Sequence, residues 1–289
     1  MLTESTTKSP EVTDNTHLIT EKYRNLPEST LKEWVEQFHR DGYLFLQEYL
    51  TPEFAAELKN DLDVALNDPT YAQTYGGKEN GRDDSDVKTR IRVRLFETSN
   101  ANLKLFDLDP IAKFAEMVIA PDCHVIHNNS FTTVRGGGIA NWHQDDPPHY
   151  LVLDGQPPSN VRLPVLFFTA NYYLTDVTER AIGGTECVPG SHLFGAPVPK
   201  EFPAELEPKV DPCLGKAGSV VLFNNQVWHR GGPNNSDSTR YITQVTYGRR
   251  MINSMYYPFM NYVMPEHVYK DANPRLKRLL GFLNHGPYG

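Results

Sequence analysis

Between Val87 and Gly248 the chain carries five runs of β-branched and aromatic residues, each closed off by Gly, Pro, Asn or Asp. They are "VKTRIRVRLFE", "CHVIHNNSFTTV", "LPVLFFTANYYL", "GSVVLFNN" and "RYITQVTYG". Runs of this length and composition read as strands. A strand cannot satisfy its own backbone groups, so strands spaced like this must pair, and the resulting sheet must bury its apolar face. Helical patterns flank the strand region. "STLKEWVEQFHRDG" places Leu31, Trp34, Val35 and Phe38 on one helix face, with Ser29 or Thr30 as N-cap and Gly42 as stop. "YLFLQEYL" reads as a short buried strand, and "TPEFAAELKNDLDVAL" opens a helix with Thr51 as cap and Pro52 in the first turn. A helical stretch at about 101–119 and a short C-terminal helix, "NPRLKRLLG", complete the order. Helices first, then many spaced strands, then a helix predict a mainly β antiparallel sandwich or barrel with helices outside. Residues 1–28 are polar and read as a loose or draped arm. Residues 29–289 show no repeat or linker and read as one domain, with a β core over about 87–250.

The 289 residues are 39% hydrophobic, enough for a sizeable core, and the formal charge of −8 argues against nucleic acid as partner. Three cysteines, odd in number and widely spaced, read as free thiols in a reducing compartment. No apolar run spans a bilayer, and neither a secretion signal nor a peroxisomal tripeptide is seen. These features fit a cytoplasmic enzyme acting on a small molecule, with no membrane partner.

The densest chemistry lies in "NWHQDDPPHY", residues 141–150. In extended backbone, side chains two apart share a face, so His143 and Asp145 point the same way and Gln144 points opposite. An imidazole nitrogen and a carboxylate oxygen on one face can hold adjacent positions around a cation. Of the ten histidines, His229 in "SVVLFNNQVWHRGGPNNS" is the best third ligand, sitting where an apolar run meets a Gly-Gly-Pro turn. Two histidines and one carboxylate leave open positions on iron(II), whereas structural zinc sites are closed by four ligands. His124 and His127 are odd-spaced on a strand, and His192 in "VPGSH" suits a turn cap. Eleven residues past His229 stands Arg240, on the strand that returns after the Gly231–Ser238 turn. Pointing inward, its guanidinium would need an anion, and a carboxylate is the usual partner.

"WHQDD", "GGTECVPGSH", "WHRGGPNNSDSTR" and the opening "FHRDGYLFLQEYLTPE" together resemble the phytanoyl-CoA dioxygenase family of iron(II)/2-oxoglutarate-dependent oxygenases, over roughly residues 30 to 250. The resemblance implies a double-stranded β-helix, a jelly-roll barrel with iron at its mouth. It assigns His143, Asp145 and His229 to iron and Arg240 to the distal carboxylate of 2-oxoglutarate. It also implies dioxygen as co-substrate, 2-oxoglutarate being decarboxylated to succinate and carbon dioxide while the substrate is hydroxylated. Family members often place a hydroxyl residue two positions after the distal histidine; here that position is Gly231. Asn129, Thr133 and Arg135 are the expected substitutes for its hydrogen bond. Related halogenases lack the carboxylate ligand, so Asp145 argues for hydroxylation or another oxidation. Demethylation, desaturation and ring formation would use the same residues.

Several other groups have two readings. Asp146 and His149 suit loop contacts first and substrate contacts second. Trp142 suits a pocket wall or core packing. Lys88, Arg90, Arg92 and Arg94 alternate along one strand; they form either a basic wall for an anionic substrate, with Arg92 and Arg94 foremost, or a charged edge that blocks aggregation. "MINSMYYPFMNYVMPEHVY" fits an aromatic lid, packing against the C-terminal helix, or a homodimer surface. Two rival functions are a non-catalytic barrel that senses a metabolite or metal, which would be expected to lose a ligand or the arginine, and a zinc hydrolase, which would ignore 2-oxoglutarate.

Overall fold

Strand pairing gathers the apolar runs into one large sheet. The computed structural model describes residues 15–80, 87–153 and 159–283. Its strands are β1 (Tyr43–Leu46), β2 (Gly77–Asn80), β3 (Thr89–Val93), β4 (His124–Thr133), β5 (Phe167–Tyr173), β6 (Thr185–Cys187), β7 (Val220–Asn224), β8 (His229–Gly231) and β9 (Arg240–Gly248). Seven of these form an antiparallel sheet in the order β1-β7-β5-β9-β4-β3-β2, and β6 pairs with β8 in a second, small sheet. Single bridges widen the small sheet on both sides, His143 to His229 and Cys187 to Asp211. Two sheets with such long-range pairing form the double-stranded β-helix expected from the sequence, with flanking helices.

The period of two along each strand divides the large sheet into two faces. On β9, Val245 and Tyr247 join the helix-side core, while Arg240, Ile242, Gln244 and Thr246 line the cavity between the sheets. On β1, Leu44 and Leu46 face the helices, and Tyr43 and Phe45 belong to the inter-sheet cluster. The helical cover is α1 (Glu28–Asp41), α2 (Pro52–Asn67), α3 (Tyr71–Thr74), α4 (Asn100–Lys104), α5 (Ile111–Val118), α6 (Glu266–Tyr269) and α7 (Pro274–Leu279). Phe38 of α1, Phe114 of α5 and Phe168 of β5 meet edge to face, with ring centroids 5.4–5.6 Å apart, and so fix the cover to the sheet.

Local signals account for most element ends. Gly42 closes α1 at a φ of 83°, Thr51 caps α2 through Phe54, and Asn273 caps α7 through Leu276. Pro27, not Ser29 or Thr30, precedes α1, which therefore starts earlier than the hydroxyl residues suggest. The stretch at 101–119 is two helices, because Leu105–Asp107 tightens into a 3-10 turn and Pro110 heads a new helix. Of the arm, residues 15–28 lie on the body: Leu18 and Ile19 are buried and Ile19 bridges Leu50. The remainder of the arm, residues 1–14, lies outside the described residues.

The Gly231–Ser238 turn does not make a hairpin. Its two ends belong to different sheets, β8 to the small one and β9 to the large one. Asn234 fixes this crossing from within, donating to Thr133 and Ser238 carbonyls at 2.9 and 2.7 Å. The basic row is also rearranged. Arg94 takes a left-handed backbone conformation (φ 58°), which ends the alternation after Val93. Arg92 turns to the helix side and donates to the Ala65 carbonyl; Arg94 donates to Thr74 and Tyr75 carbonyls and pairs with buried Glu97. Neither lines the cavity, so the expected basic wall is absent there, and β3 is not an edge because β2 covers it. All three cysteines are free and buried. No helix among the described residues is long and apolar enough to cross a membrane.

Candidate metal centre

Cross-strand pairing brings the two histidines together. His143 and His229 exchange both backbone hydrogen bonds, at 3.0 and 2.9 Å, and directly opposed residues point to the same face. Their ring centroids lie 4.3 Å apart. Asp145 follows two residues on, its amide donating to the Asn225 carbonyl at 2.9 Å. Its Oδ1 stands 3.8 Å from Nε2 of His143 and 3.5 Å from Nε2 of His229. One donor atom from each of the three residues lies within 4.8 Å of the others. Such gaps are wider than a charge-assisted hydrogen bond and suit groups that share an ion.

Backbone carbonyls set the imidazole tautomers. His143 Nδ1 lies 2.9 Å from the Asn141 carbonyl and His229 Nδ1 lies 2.9 Å from the Val227 carbonyl. A carbonyl only accepts, so each Nδ1 carries the proton and each Nε2 lone pair is free for a metal. Burial, with the His229 charge, lowers the His143 pKa. Burial works against the charge on Asp145, but the two histidines outweigh it and hold its pKa below the usual value. His229 is buried, whereas His143 and Asp145 keep 33% and 32% of their side chains open, toward the cavity. The donor set is therefore closed on one side and open on the other.

Asp145 sits in a loop, and Gln226 supplies the hold that a strand would otherwise give. The Gln226 side chain donates to the Asp146 and Pro147 carbonyls (3.2 and 3.3 Å) and accepts from the His149 amide and Gln144 (2.9 and 3.3 Å). Gln226→Leu is expected to weaken iron(II) binding about 10- to 100-fold, the usual cost of losing an outer support. An iron titration that leaves affinity unchanged would refute that role.

Arg240, at the far end of the same cavity, is 1% exposed. It donates to the Gly232 carbonyl at 3.0 Å and stands 3.4 Å from Thr133 Oγ1, and its Nε has no partner. No carboxylate of a described residue pairs with it, and burial draws its pKa down to about 10. Gly183 (φ 81°) leaves room for it: a Cβ there would come within 2.7 Å of Nη1 and 2.3 Å of the Gly232 carbonyl. This gives a physical reason for Gly183, the first glycine of "GGTECVPGSH".

The cavity between triad and arginine has a volume of about 530 Å³. Asn129 and Asp146 line it, and Asp146 also lies 3.1 Å from His149 Nε2. Arg135 does not reach it; the strand ends at Thr133, and Arg135 pairs at the surface with Asp237, which removes it from the expected co-substrate contacts. Trp142 is not in the wall but stacks on Phe202 at 4.3 Å with the Arg230 guanidinium above it. His149 faces a second cavity behind the loop, and His192 is bonded to the His39 carbonyl. Ile252 and Met255 of the Tyr-rich stretch line the cavity, whereas Tyr256 is buried against Phe96. His127, Thr169, Asn171, Gln244 and Thr246 line the cavity without a motif to announce them. Only the period of two from Arg240 could have pointed to Gln244 and Thr246.

The chain matches the profile of the phytanoyl-CoA dioxygenase (PhyH) family over residues 38–242. Dioxygenase trt7 of Aspergillus terreus is 21% identical over 264 residues, 89% of this chain and 85% of that protein. The ectoine dioxygenase of Nocardia farcinica is 26% identical over 236 residues, 70% of this chain and 72% of that protein. Among solved structures, HygX from Streptomyces hygroscopicus with nickel, 2-oxoglutarate and hygromycin B bound shares the fold, with a TM-score of 0.60 at 15% identity over 77% of this chain and 89% of HygX. With the profile spanning well over half its length, the chain belongs to the phytanoyl-CoA dioxygenase family.

Proposed function

We propose that the protein is an iron(II)/2-oxoglutarate-dependent oxygenase that hydroxylates a small molecule, with His143, Asp145 and His229 holding the iron and Arg240 holding the distal carboxylate of 2-oxoglutarate. The observation that carries this reading is the pairing, in one cavity, of an open His-Asp-His donor set with a buried arginine that lacks an acid. The donor set fits iron(II): mixed nitrogen and oxygen ligands, with both Nε2 lone pairs free and one side open. Arg240 fits a carboxylate, and the orphaned Nε is the group such an anion would satisfy. A metabolite sensor would not need both features, and a zinc hydrolase would have no use for Arg240.

When bound, iron with 2-oxoglutarate and dioxygen supplies the oxidising power to break a substrate C–H bond, with succinate and carbon dioxide released. The chain's own part is positional. His143 and His229 present Nε2 because the Asn141 and Val227 carbonyls hold the other nitrogen. Gln226 and the Asn225 carbonyl hold the loop that carries Asp145. Arg240 and Thr133 orient the co-substrate from the buried end, and the apolar walls Phe131, Ile242 and Phe223 keep water from the site. Hydroxylation is favoured over ligand exchange with chloride because the carboxylate position is filled. A natural-product tailoring outcome, such as ring formation, would use the same residues.

Anaerobic addition of iron(II) and 2-oxoglutarate is expected to give a weak visible charge-transfer band, and admission of air is expected to give succinate. Absence of both from iron-loaded protein would refute the reading. Gly231 offers a finer test. A Cβ there meets Arg240 Nη2 and the Ile139 amide nitrogen at 3.6 Å, ordinary contact distances. Gly231→Ser is therefore expected to be tolerated and to tighten 2-oxoglutarate binding about fivefold, the effect of one added hydrogen bond of roughly 1 kcal/mol. A weaker affinity in that variant would place the co-substrate elsewhere.

A further inference from the structure

The cavity is longer than the co-substrate needs. Strand β9 rises about 3.3 Å per residue, so Thr246 lies roughly 20 Å along the strand from Arg240. A five-carbon diacid reaching from Arg240 to the triad leaves the Gln244–Thr246 end to another molecule. The register there is regular. Gln244 stands between Asn129 on β4 and Asn171 on β5, and Thr246 stands between His127 and Thr169. These residues line the cavity, so two rows of polar side chains cross three adjacent strands on its floor.

Thr169 and Thr246 share one hydroxyl hydrogen bond (3.0 Å) and Asn171 donates to Thr185 (2.7 Å), yet each row keeps hydrogen-bonding capacity beyond these and carries no formal charge. Oδ1 of Asn129 and Oδ1 of Asn171 are buried without a partner. The Gln244 amide makes no side-chain hydrogen bond to a described residue. Whichever way these amides are turned, they offer neutral donors and acceptors. His127 Nδ1 lies 3.3 Å from the Met255 carbonyl, which only accepts, so Nε2 is left as an acceptor. Burial lowers the His127 pKa, which favours the neutral ring. Buried polar groups without partners are rare enough in native proteins to call for a ligand or water.

Every charged side chain among the described residues that line the cavity already has a use. His143, Asp145 and His229 form the donor set, and Arg240 awaits the co-substrate. Arg230 is held by Glu186 at 2.6 Å, and Asp146 stands 3.1 Å from His149. An anionic substrate would meet no free cation, and burying it unpaired is costly; for a cationic one the remaining carboxylate, Asp146, is half-exposed on the loop and outside the two rows. The remaining walls are apolar: Phe167, Phe223, Ile252 and Met255.

We propose that the Asn129–Gln244–Asn171 and His127–Thr246–Thr169 rows are the substrate subsite, and that it takes an uncharged, largely hydrocarbon molecule bearing hydroxyl or carbonyl groups. This rests on the oxygenase reading, and it separates this chain from use of an anionic acyl thioester. Thr246 and Gln244 determine specificity, and Asn129, expected from the sequence at the co-substrate, serves the substrate instead; the iron ligands lie on the small-sheet side of the cavity and Arg240 at the other end of β9.

The test uses three fragments of one shape and different charge: cyclohexanol, cyclohexanecarboxylate and cyclohexylammonium. Binding to the full chain loaded with zinc(II) and 2-oxoglutarate is followed by ligand-observed NMR. Cyclohexanol is expected to saturate at least tenfold below either ion, and manganese(II) in place of zinc is expected to broaden its signals. Thr246→Val, nearly isosteric, is expected to weaken cyclohexanol binding at least threefold, and Thr246→Lys to shift preference toward the carboxylate. Equal or tighter binding of either ion, or no saturable cyclohexanol binding to the wild-type chain, overturns the proposal, and neither outcome requires a variant to fold. Loss of the iron(II)–2-oxoglutarate band in the wild-type protein would instead sink the oxygenase reading, so the two failures are distinguishable.

Discussion

Asp145→Ala is expected to lower 2-oxoglutarate turnover by at least about a thousandfold, some 4 kcal/mol in barrier terms. Turnover is measured as succinate formed with iron(II) and air. The size follows from position. Asp145 is the only carboxylate among the described residues that lies within reach of both Nε2 atoms, at 3.8 and 3.5 Å. Without it, two neutral imidazoles remain to hold a dication, and nothing in the open cavity replaces the lost charge. Asp146 is the matched control, since it is the same residue type one position along. It lies against His149 on the half-exposed side of the loop, where even a fully charged pair contributes about 1 kcal/mol or less. Asp146→Ala is therefore expected to cost less than about tenfold. Equal losses in the two variants would mean that the loop as a whole, not the Asp145 carboxylate, sustains turnover.

The contrast between these neighbours shows what the sequence could reveal. The alternation that puts His143 and Asp145 on one face is a property of extended backbone and holds in the fold. His229 was legible because an apolar strand ends just before it, and the structure adds why the two histidines meet: they are a doubly hydrogen-bonded pair. Arg240 was legible as an inward cation on a strand. The same alternation misled at "VKTRIRVRLFE", because Arg94 leaves the strand in a left-handed conformation and both Arg92 and Arg94 find backbone carbonyls on the helix side. Arg135 failed for a related reason: its strand ends two residues earlier. A pattern of residue types does not say where pairing stops. Nor could it show that the turn after β8 crosses between sheets, which depends on the Asn234 contacts to residues far along the chain. Gln226 was illegible because its role lies mostly in backbone groups of a loop some 80 positions away. The fold class and the His143-Asp145-His229 donor set are written in local periodicity, while the supports around them are written in long-range hydrogen bonds.

Arg240→Met is expected to separate stability from function, with opposite signs. In the protein without co-substrate, Arg240 is a buried cation whose Nε is unsatisfied and which has no acid to meet. Replacing an ill-compensated buried charge by an apolar side chain of similar length is neutral or stabilising. The apoprotein should therefore melt at the same temperature or a few degrees higher; 1 kcal/mol corresponds to about 2–4 °C for chains of somewhat smaller size. The lost Gly232 carbonyl bond limits that gain. The effect on 2-oxoglutarate is far larger. A carboxylate brought into this end of the cavity without its cation would be stranded, and breaking a buried pair costs about 3–5 kcal/mol. Affinity for 2-oxoglutarate should fall by about two to four orders of magnitude, and the rise in melting temperature that it gives the wild-type protein should disappear at matched concentration. Arg240→Lys is the stricter variant. It keeps the charge but loses the planar fork and the reach past Gly183, so it should recover only part of the affinity. Full recovery with lysine would mean that Arg240 supplies charge without orientation. A destabilised Arg240→Met apoprotein that still binds 2-oxoglutarate normally would mean that the arginine is a structural brace, with the co-substrate held by other groups.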